Sequence, residues 1–171
     1  MIDLHVHSTA FDGNYTVPQL LEKATHIGLT AMAITDHDTV DGVLEYESLF
    51  LTKKRPILIP GIELSVDFGS KKEGIHILGY LMDYTHPDFK IEMKNLYDRR
   101  YRRNEILIEK LQELGIDITY AEVREIAGAD TVGRPHFAKA LIEKKVVSSF
   151  DQAFDQYLGD RGKAFVPKER F

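Results

Sequence analysis

The sequence contains no cysteine in its 171 residues. That absence removes a disulfide framework, a thiolate nucleophile and every thiolate-based zinc or iron–sulfur site, so any metal held here must be held by imidazole and carboxylate. No apolar run approaches the roughly 18 residues of a membrane span. The opening Met-Ile-Asp-Leu-His shows neither the basic nor the apolar region of a signal peptide, and the expectation is a soluble cytoplasmic protein without membrane contact. Internal repeats, low-complexity tracts and flexible linkers are also missing, which argues for one structural unit. What is present, 43% hydrophobic and 29% charged residues, suits a chain that buries a core rather than one that stays disordered.

The net charge of −5 hides an asymmetry. Residues 1–85 carry 6 basic and 12 acidic side chains, whereas residues 86–171 carry 16 and 15. Six of the seven histidines lie in or at the edge of the acidic half. Imidazoles among carboxylates are what a cation site requires, although an acidic half also describes an ordinary solvated surface.

Residues 2–8 alternate apolar and polar positions and read as a strand with its polar groups at the C-terminal end. Thr16 caps an expected helix over 17–27, with Pro18 in its first turn and Gly28 at its end. Residues 30–35 read as a buried parallel strand, followed by a helix near 41–53. Two further β-rich runs follow at 57–66 and 75–82, and Pro60-Gly61 is expected to kink or end the first. From about Asp88 the period becomes helical. A long helix over 88–114 has Ile91, Leu96, Tyr97, Ile108, Leu111 and Leu114 among its expected buried residues. Shorter helices are expected from Thr119 to Gly128, over Arg134–Lys145 and over 150–158. The organisation read from this pattern is a first barrel half over 1–85, a helical insertion over 86–160 and a return towards the barrel over 161–171.

In His5-Val6-His7, side chains two apart on a strand point to the same face, so both imidazoles can grip one cation. Asp12, Asp36-His37-Asp38, Glu63 and His76 all fall at or just beyond predicted strand ends, where a parallel α/β architecture collects its site. Asp36, Asp38 and Asp41 also read as turn or cap residues. The run Asp98-Arg99-Arg100-Tyr101-Arg102-Arg103 is the strongest basic cluster. Arg99 with Arg103 can line a phosphate-bearing groove, with Tyr97 and Tyr101 available for base stacking. The same run also reads as a solvated face paired with acids such as Glu105. A net negative chain argues against long nucleic acid and favours a small phosphorylated substrate. His26 and His86 belong to no motif.

The stretches LHVHSTAFDGNYTVPQLLEKATHIGLTAMAITDHDTVDG, PGIELSV, IHILGYLMD and TVGRPHFAKALIEKK, in that order, resemble the polymerase and histidinol phosphatase (PHP) family of metal-dependent phosphoesterases. The likeness is to the branch acting on nucleoside 3′,5′-bisphosphates or on the 5′ end of short oligonucleotides. It implies an α/β fold, the N-terminal portion of a distorted (β/α) TIM-like barrel with a helical insertion. It implies two or three divalent ions, Mn, Fe or Zn: His5, His7 and Glu63 at one, Glu63 bridging to a second held by His76 and His136, and Asp12 with His37 at a third. In that scheme a metal-activated water attacks the phosphate ester, and no side-chain nucleophile is needed. His37 and Arg134 join the catalytic set, and Arg134, Arg99 and Arg103 contact substrate; the other reading of Arg134 is a surface ion pair.

The resemblance also calls for a late Asp-x-His pair, and no histidine follows His136. A closed barrel of this kind takes about 250 residues, and only four strands plus Ala164-Phe165-Val166 are legible. The expectation is therefore an incomplete barrel, completed by a further C-terminal segment, by self-association or by another chain. Three functional classes follow: the phosphoesterase, a non-catalytic metal-binding or interaction module lacking the late ligands, and a metal amidohydrolase, which shares HxH but leaves GRPH and TDHD unexplained.

Overall fold

The alternation at the start of the chain forms β1 (Ile2–Val6), and α1 (Val17–His26) follows from a full capping box in which Thr16 accepts from Gln19 and the Gln19 side chain returns to Thr16 N–H. Next come β2 (Ala31–Ile34), buried at every position, and α2 (Asp41–Ser48). Then follow β3 (Ile57–Val66), β4 (Ile75–Tyr80), the long α3 (Pro87–Glu113), α4 (Tyr120–Ala127), α5 (Arg134–Glu143) and α6 (Phe150–Ala153). A π-helical turn over Phe154–Leu158 continues α6. The computed structural model describes residues 1–49, 56–66 and 75–167. The end of the second helix expected near 53 lies outside them. Ala164–Val166, expected as a strand, has none of that character; Ala164 and Phe165 instead close turns onto Tyr157 and Gly162.

The chain forms two units, one over Met1–Lys94 and one over Asn95–Glu169. The first holds a four-stranded sheet in the order β1-β2-β3-β4. β1, β2 and β3 run parallel, as expected from strand–helix–strand crossovers, but β4 pairs antiparallel with β3. Only eight residues separate Val66 from Ile75, fewer than the dozen or so that a parallel crossover needs. Pro60-Gly61 does not end β3; it is where the strand changes partner. Up to Pro60 the strand lies on β2, and from Gly61 it lies on β4. A side chain at position 61 would stand 2.6 Å from Thr35 Cγ2 and 2.8 Å from the Ile34 carbonyl, so this close passage requires glycine.

The sheet is curled into a half-barrel. β1 and β4 are its outer strands, roughly 14 Å apart if flat, yet the Tyr80 hydroxyl donates to the Leu4 carbonyl at 2.8 Å. Curling brings the polar strand ends together on one side. Beneath, Val17, Leu20, Leu21 and Ala24 of α1 pack with Met32, Ile34, Val43 and Ile62, each fully buried branched side chain contributing roughly 1.5–3 kcal/mol.

The second unit has its own core, built from Leu107 and Leu111 of α3, Ile118, Val123, Phe137, Leu141 and Leu158. Leu96, Ile108 and Leu111 are buried as expected, but Ile91, Tyr97 and Leu114 are exposed. The buried stripe instead passes through Arg103 and Asn104. Two polar residues thus occupy positions that periodicity alone would give to apolar ones.

Candidate metal centre

The end of β1 is fixed by a buried carboxylate. Asp36, just past β2, accepts from Ser8 N–H at 2.7 Å and from the Ser8 hydroxyl at 2.6 Å. Burial pushes the Asp36 carboxyl up to about 6, although both Ser8 bonds pull the other way. α2 packs so closely here that a side chain at Gly42 would meet Asp36 Oδ2 at 2.4 Å. Asp38 is likewise structural: with φ of 55°, its N–H donates to the Glu63 carbonyl and its Oδ1 accepts from Ser65 N–H. These contacts hold the Asp36-His37-Asp38 loop against β3, so that His37 faces Glu63.

Glu63 is the hub. Its Oε2 lies 2.9 Å from His5 Nε2, 2.9 Å from His7 Nε2 and 3.7 Å from His37 Nδ1, while its Oε1 lies 2.6 Å from His76 Nδ1. His5 and His7 face each other nitrogen to nitrogen at 3.1 Å. Behind them, His7 Nδ1 lies 2.8 Å from Asp12. Three overlapping groups of potential ligands result: His5, His7 and Glu63; His7, Asp12 and His37; and His37, Glu63 and His76, with the ligand atoms of each within 4.8 Å of one another.

The electrostatics follow the geometry. The Asp12 hydrogen bond raises the His7 imidazole above its ordinary value against the effect of burial. Burial drives His37 down to about 4, so it is neutral with its nitrogen lone pair available. Burial would raise Glu63, but the His5 hydrogen bond and the neighbouring imidazoles bring it below the usual carboxylate value. His37 Nδ1 is buried and has no hydrogen-bond partner among the described residues. An orphaned imidazole nitrogen, two imidazoles facing each other and one carboxylate shared by four histidines are a poor hydrogen-bond network and a good donor set for divalent cations. These residues fit the ions.

The structure thus gathers six of the seven expected ligands, His5, His7, Asp12, His37, Glu63 and His76. His136 belongs to none of the three groups found among the described residues. It is buried at the start of α5, where its Nδ1 accepts from Gly133 N–H at 2.9 Å and so caps that helix. Arg134 beside it donates to the Leu158 carbonyl at 3.3 Å, tying α5 to the π-helical turn. On α3, Arg99 is half-buried and Arg103 is buried, with Nη2 donating to Asn104 Oδ1. Ser8 was missed by sequence reasoning. Its signal is weak, a serine directly after HxH that becomes meaningful only once Asp36 is known to point inward.

The PHP domain family matches residues 3–165. The chain belongs to the PHP domain family. PHP relatives include a 5′–3′ exoribonuclease of Haemophilus influenzae, 36% identical over 98% of this chain and 60% of its own length. A 3′,5′-nucleoside bisphosphate phosphatase of Chromobacterium violaceum is 28% identical over 92% of this chain and 54% of its own. Among solved structures, an amidohydrolase from Chromobacterium violaceum superposes with a TM-score of 0.84 at 26% identity, covering 99% of this chain and 59% of that one. This PHP chain therefore spans somewhat under two thirds of the length of the relatives it matches, and its half-barrel is the corresponding part of their fold. Among its described residues no helix is long and apolar enough to cross a membrane.

Proposed function

We propose that the chain is a divalent-metal phosphoesterase acting on phosphate esters of nucleotides or short oligonucleotides. The observation that carries this reading is Glu63, whose two oxygens are divided between His5 and His7 on one side and His76 on the other. A carboxylate so divided is suited to bridge two cations. Bound divalent ions would supply Lewis acidity toward phosphoryl oxygens and an activated water at neutral pH.

The chain's own residues do the rest. Asp12 holds the His7 ring in orientation through Nδ1, leaving Nε2 to face the site. His37, neutral through burial, offers its lone pair, which supports a catalytic role for it. Asp36 and Ser8 pin the strand end on which His5 and His7 depend. Arg134 and Arg99 are assigned to substrate phosphate, where a guanidinium fork gives two-point contact, whereas Arg103, expected to join them, is buried with its Nη2 on Asn104 and serves packing instead. The exoribonuclease and bisphosphate phosphatase relatives support nucleotide substrates over amides.

The test is phosphate release from a nucleoside 3′,5′-bisphosphate by the purified 171-residue chain with Mn²⁺, with His7→Ala as control. Turnover lost in the variant is the expected result. A folded chain that binds Mn²⁺ but releases no phosphate from the bisphosphate or from a 5′-phosphorylated oligonucleotide would instead identify a non-catalytic metal-binding module.

A further inference from the structure

We propose that Tyr97, Tyr101 and Tyr120 of the helical unit form a base-stacking subsite that takes an unpaired nucleobase of a short single-stranded oligonucleotide. This inference rests on the nucleotide reading above and narrows its substrate class. Tyr97 and Tyr101 lie one helical turn apart on α3, outside the buried stripe, and are 38% and 37% exposed. The Tyr101 ring meets that of Tyr120 edge to face, with centroids 5.0 Å apart and planes at 73°. Two rings in this arrangement make a corner in which a planar base can stack on one ring while its edge meets the other.

The corner is held from beneath. Tyr120 is half-buried and hydrogen-bonded to Asn104, which is fully buried. Asn104 Nδ2 donates to the Val132 carbonyl at 2.9 Å and its Oδ1 accepts from Arg103 at 3.0 Å. On the outer side the Tyr101 hydroxyl donates to Glu105. The rings are thus positioned before any ligand arrives, which lowers the ordering cost of binding. Charge selects the occupant. Outside the buried Arg103, the stretch Tyr97–Glu105 carries Arg99, Arg100 and Arg102 against Asp98 and Glu105, and Arg124 acts electrostatically on Tyr101 and Tyr120. Aromatic rings set among guanidiniums match a polyanion with stackable bases rather than an apolar peptide.

The test measures binding of a 5′-phosphorylated pentaribonucleotide, labelled at its 3′ end, to the full chain in EDTA by fluorescence anisotropy. The Tyr97→Ala/Tyr101→Ala variant is expected to bind roughly 5- to 100-fold more weakly, the loss of one stacked base. Tyr97→Phe/Tyr101→Phe, which keeps the ring faces, should stay within about 2-fold of wild type. Circular dichroism checks that both variants fold. Equal binding by the alanine variant, no binding by wild type, or a dimer in sedimentation that the alanine pair dissociates would each overturn the subsite. Phosphate release with Mn²⁺ separates the two readings: normal turnover of the bisphosphate with no alanine effect on the pentamer sinks the subsite alone. The expected binding pattern without any turnover sinks the phosphoesterase alone.

Discussion

The two units bury polar groups of different chemistry. In the first, Glu63 and the imidazoles around it converge with lone pairs toward one another, and His37 Nδ1 is left with no hydrogen bond among the described residues. In the second, Asn104 pairs with Arg103, Tyr120 and the Val132 carbonyl, and the one buried side-chain atom among the described residues left over is Arg103 Nε, a donor and not a lone pair. Donor-to-acceptor pairing around Asn104 specifies packing, whereas lone pairs that converge on one another suit a cation. The sharpest way to break this contrast is Glu63→Gln, which keeps the volume and removes the bridging charge. Mn²⁺ affinity of the full chain, read by calorimetry, is expected to fall by more than the roughly 10- to 100-fold that removing a residue behind a ligand costs. Unchanged affinity would mean that the cluster is an ordinary ion-pair network.

The next largest effect is a pH dependence confined to the first unit. Asp36 has a folded value of about 6 against an ordinary 3.8. The folded chain therefore binds this proton more readily than the unfolded one, and the stability it contributes is fully present below about 4 and lost as pH rises through about 6. The shift corresponds to about 3 kcal/mol in the metal-free chain. Urea unfolding in EDTA should show that decline between pH 4 and 7, and Asp36→Asn should flatten it. An equally steep decline in the variant would assign the dependence to other groups.

Asn104→Ala probes the other side of the comparison. It removes the partner of Arg103 and of the Val132 carbonyl, and is expected to cost about 2 kcal/mol in urea unfolding. Mn²⁺ binding at the Glu63 cluster should be unchanged within about 2-fold, the same calorimetry serving as the check. A large loss of metal affinity would show that the two networks are coupled.

The Asn104 network also marks the limit of what could be read from the chain. The residues that cluster around Glu63 were legible because their spacing is chemical: HxH on a strand, TDHD at a strand end and Glu63 after Pro-Gly have few other reasons to occur together. The parallel strands and capped helices were legible for the same reason, local pattern. What the pattern hid was long-range pairing. Pro60-Gly61 reads as a break, but the missing N–H of Pro60 falls where β3 exchanges one partner for another, so nothing is lost. Arg103 reads as a phosphate contact or part of a solvated face because helical periodicity assigns burial by hydropathy, and no local signal shows that it is buried against Asn104, itself held by Tyr120 and the Val132 carbonyl. The cap that His136 Nδ1 makes on α5 was not legible either, because it depends on the orientation of the ring.

The smallest effects come from two threonine capping boxes, one in each unit, which sharpen the comparison because their chemistry differs. At α1 the box is neutral: Thr16 N–H donates to Gln19 Oε1 at 2.9 Å, and the return bond from Gln19 N–H to Thr16 Oγ1 is long at 3.5 Å. At α4 it is charged: Thr119 N–H donates to Glu122 Oε2 at 2.7 Å, Glu122 N–H returns to Thr119 Oγ1 at 3.3 Å, and Lys144 holds the second Glu122 oxygen at 2.7 Å. Charge-assisted bonds are the stronger, though solvent around the exposed Glu122 reduces the difference. Thr119→Ala is therefore expected to cost about 1 kcal/mol and Thr16→Ala about half that. Amide hydrogen exchange gives the local readout. Thr16→Ala should speed exchange in α1 and leave α4 unchanged, and Thr119→Ala should do the reverse. Faster exchange in both helices from either substitution would show that the two cores open together, and the contrast between the units would then concern their chemistry and not their stability.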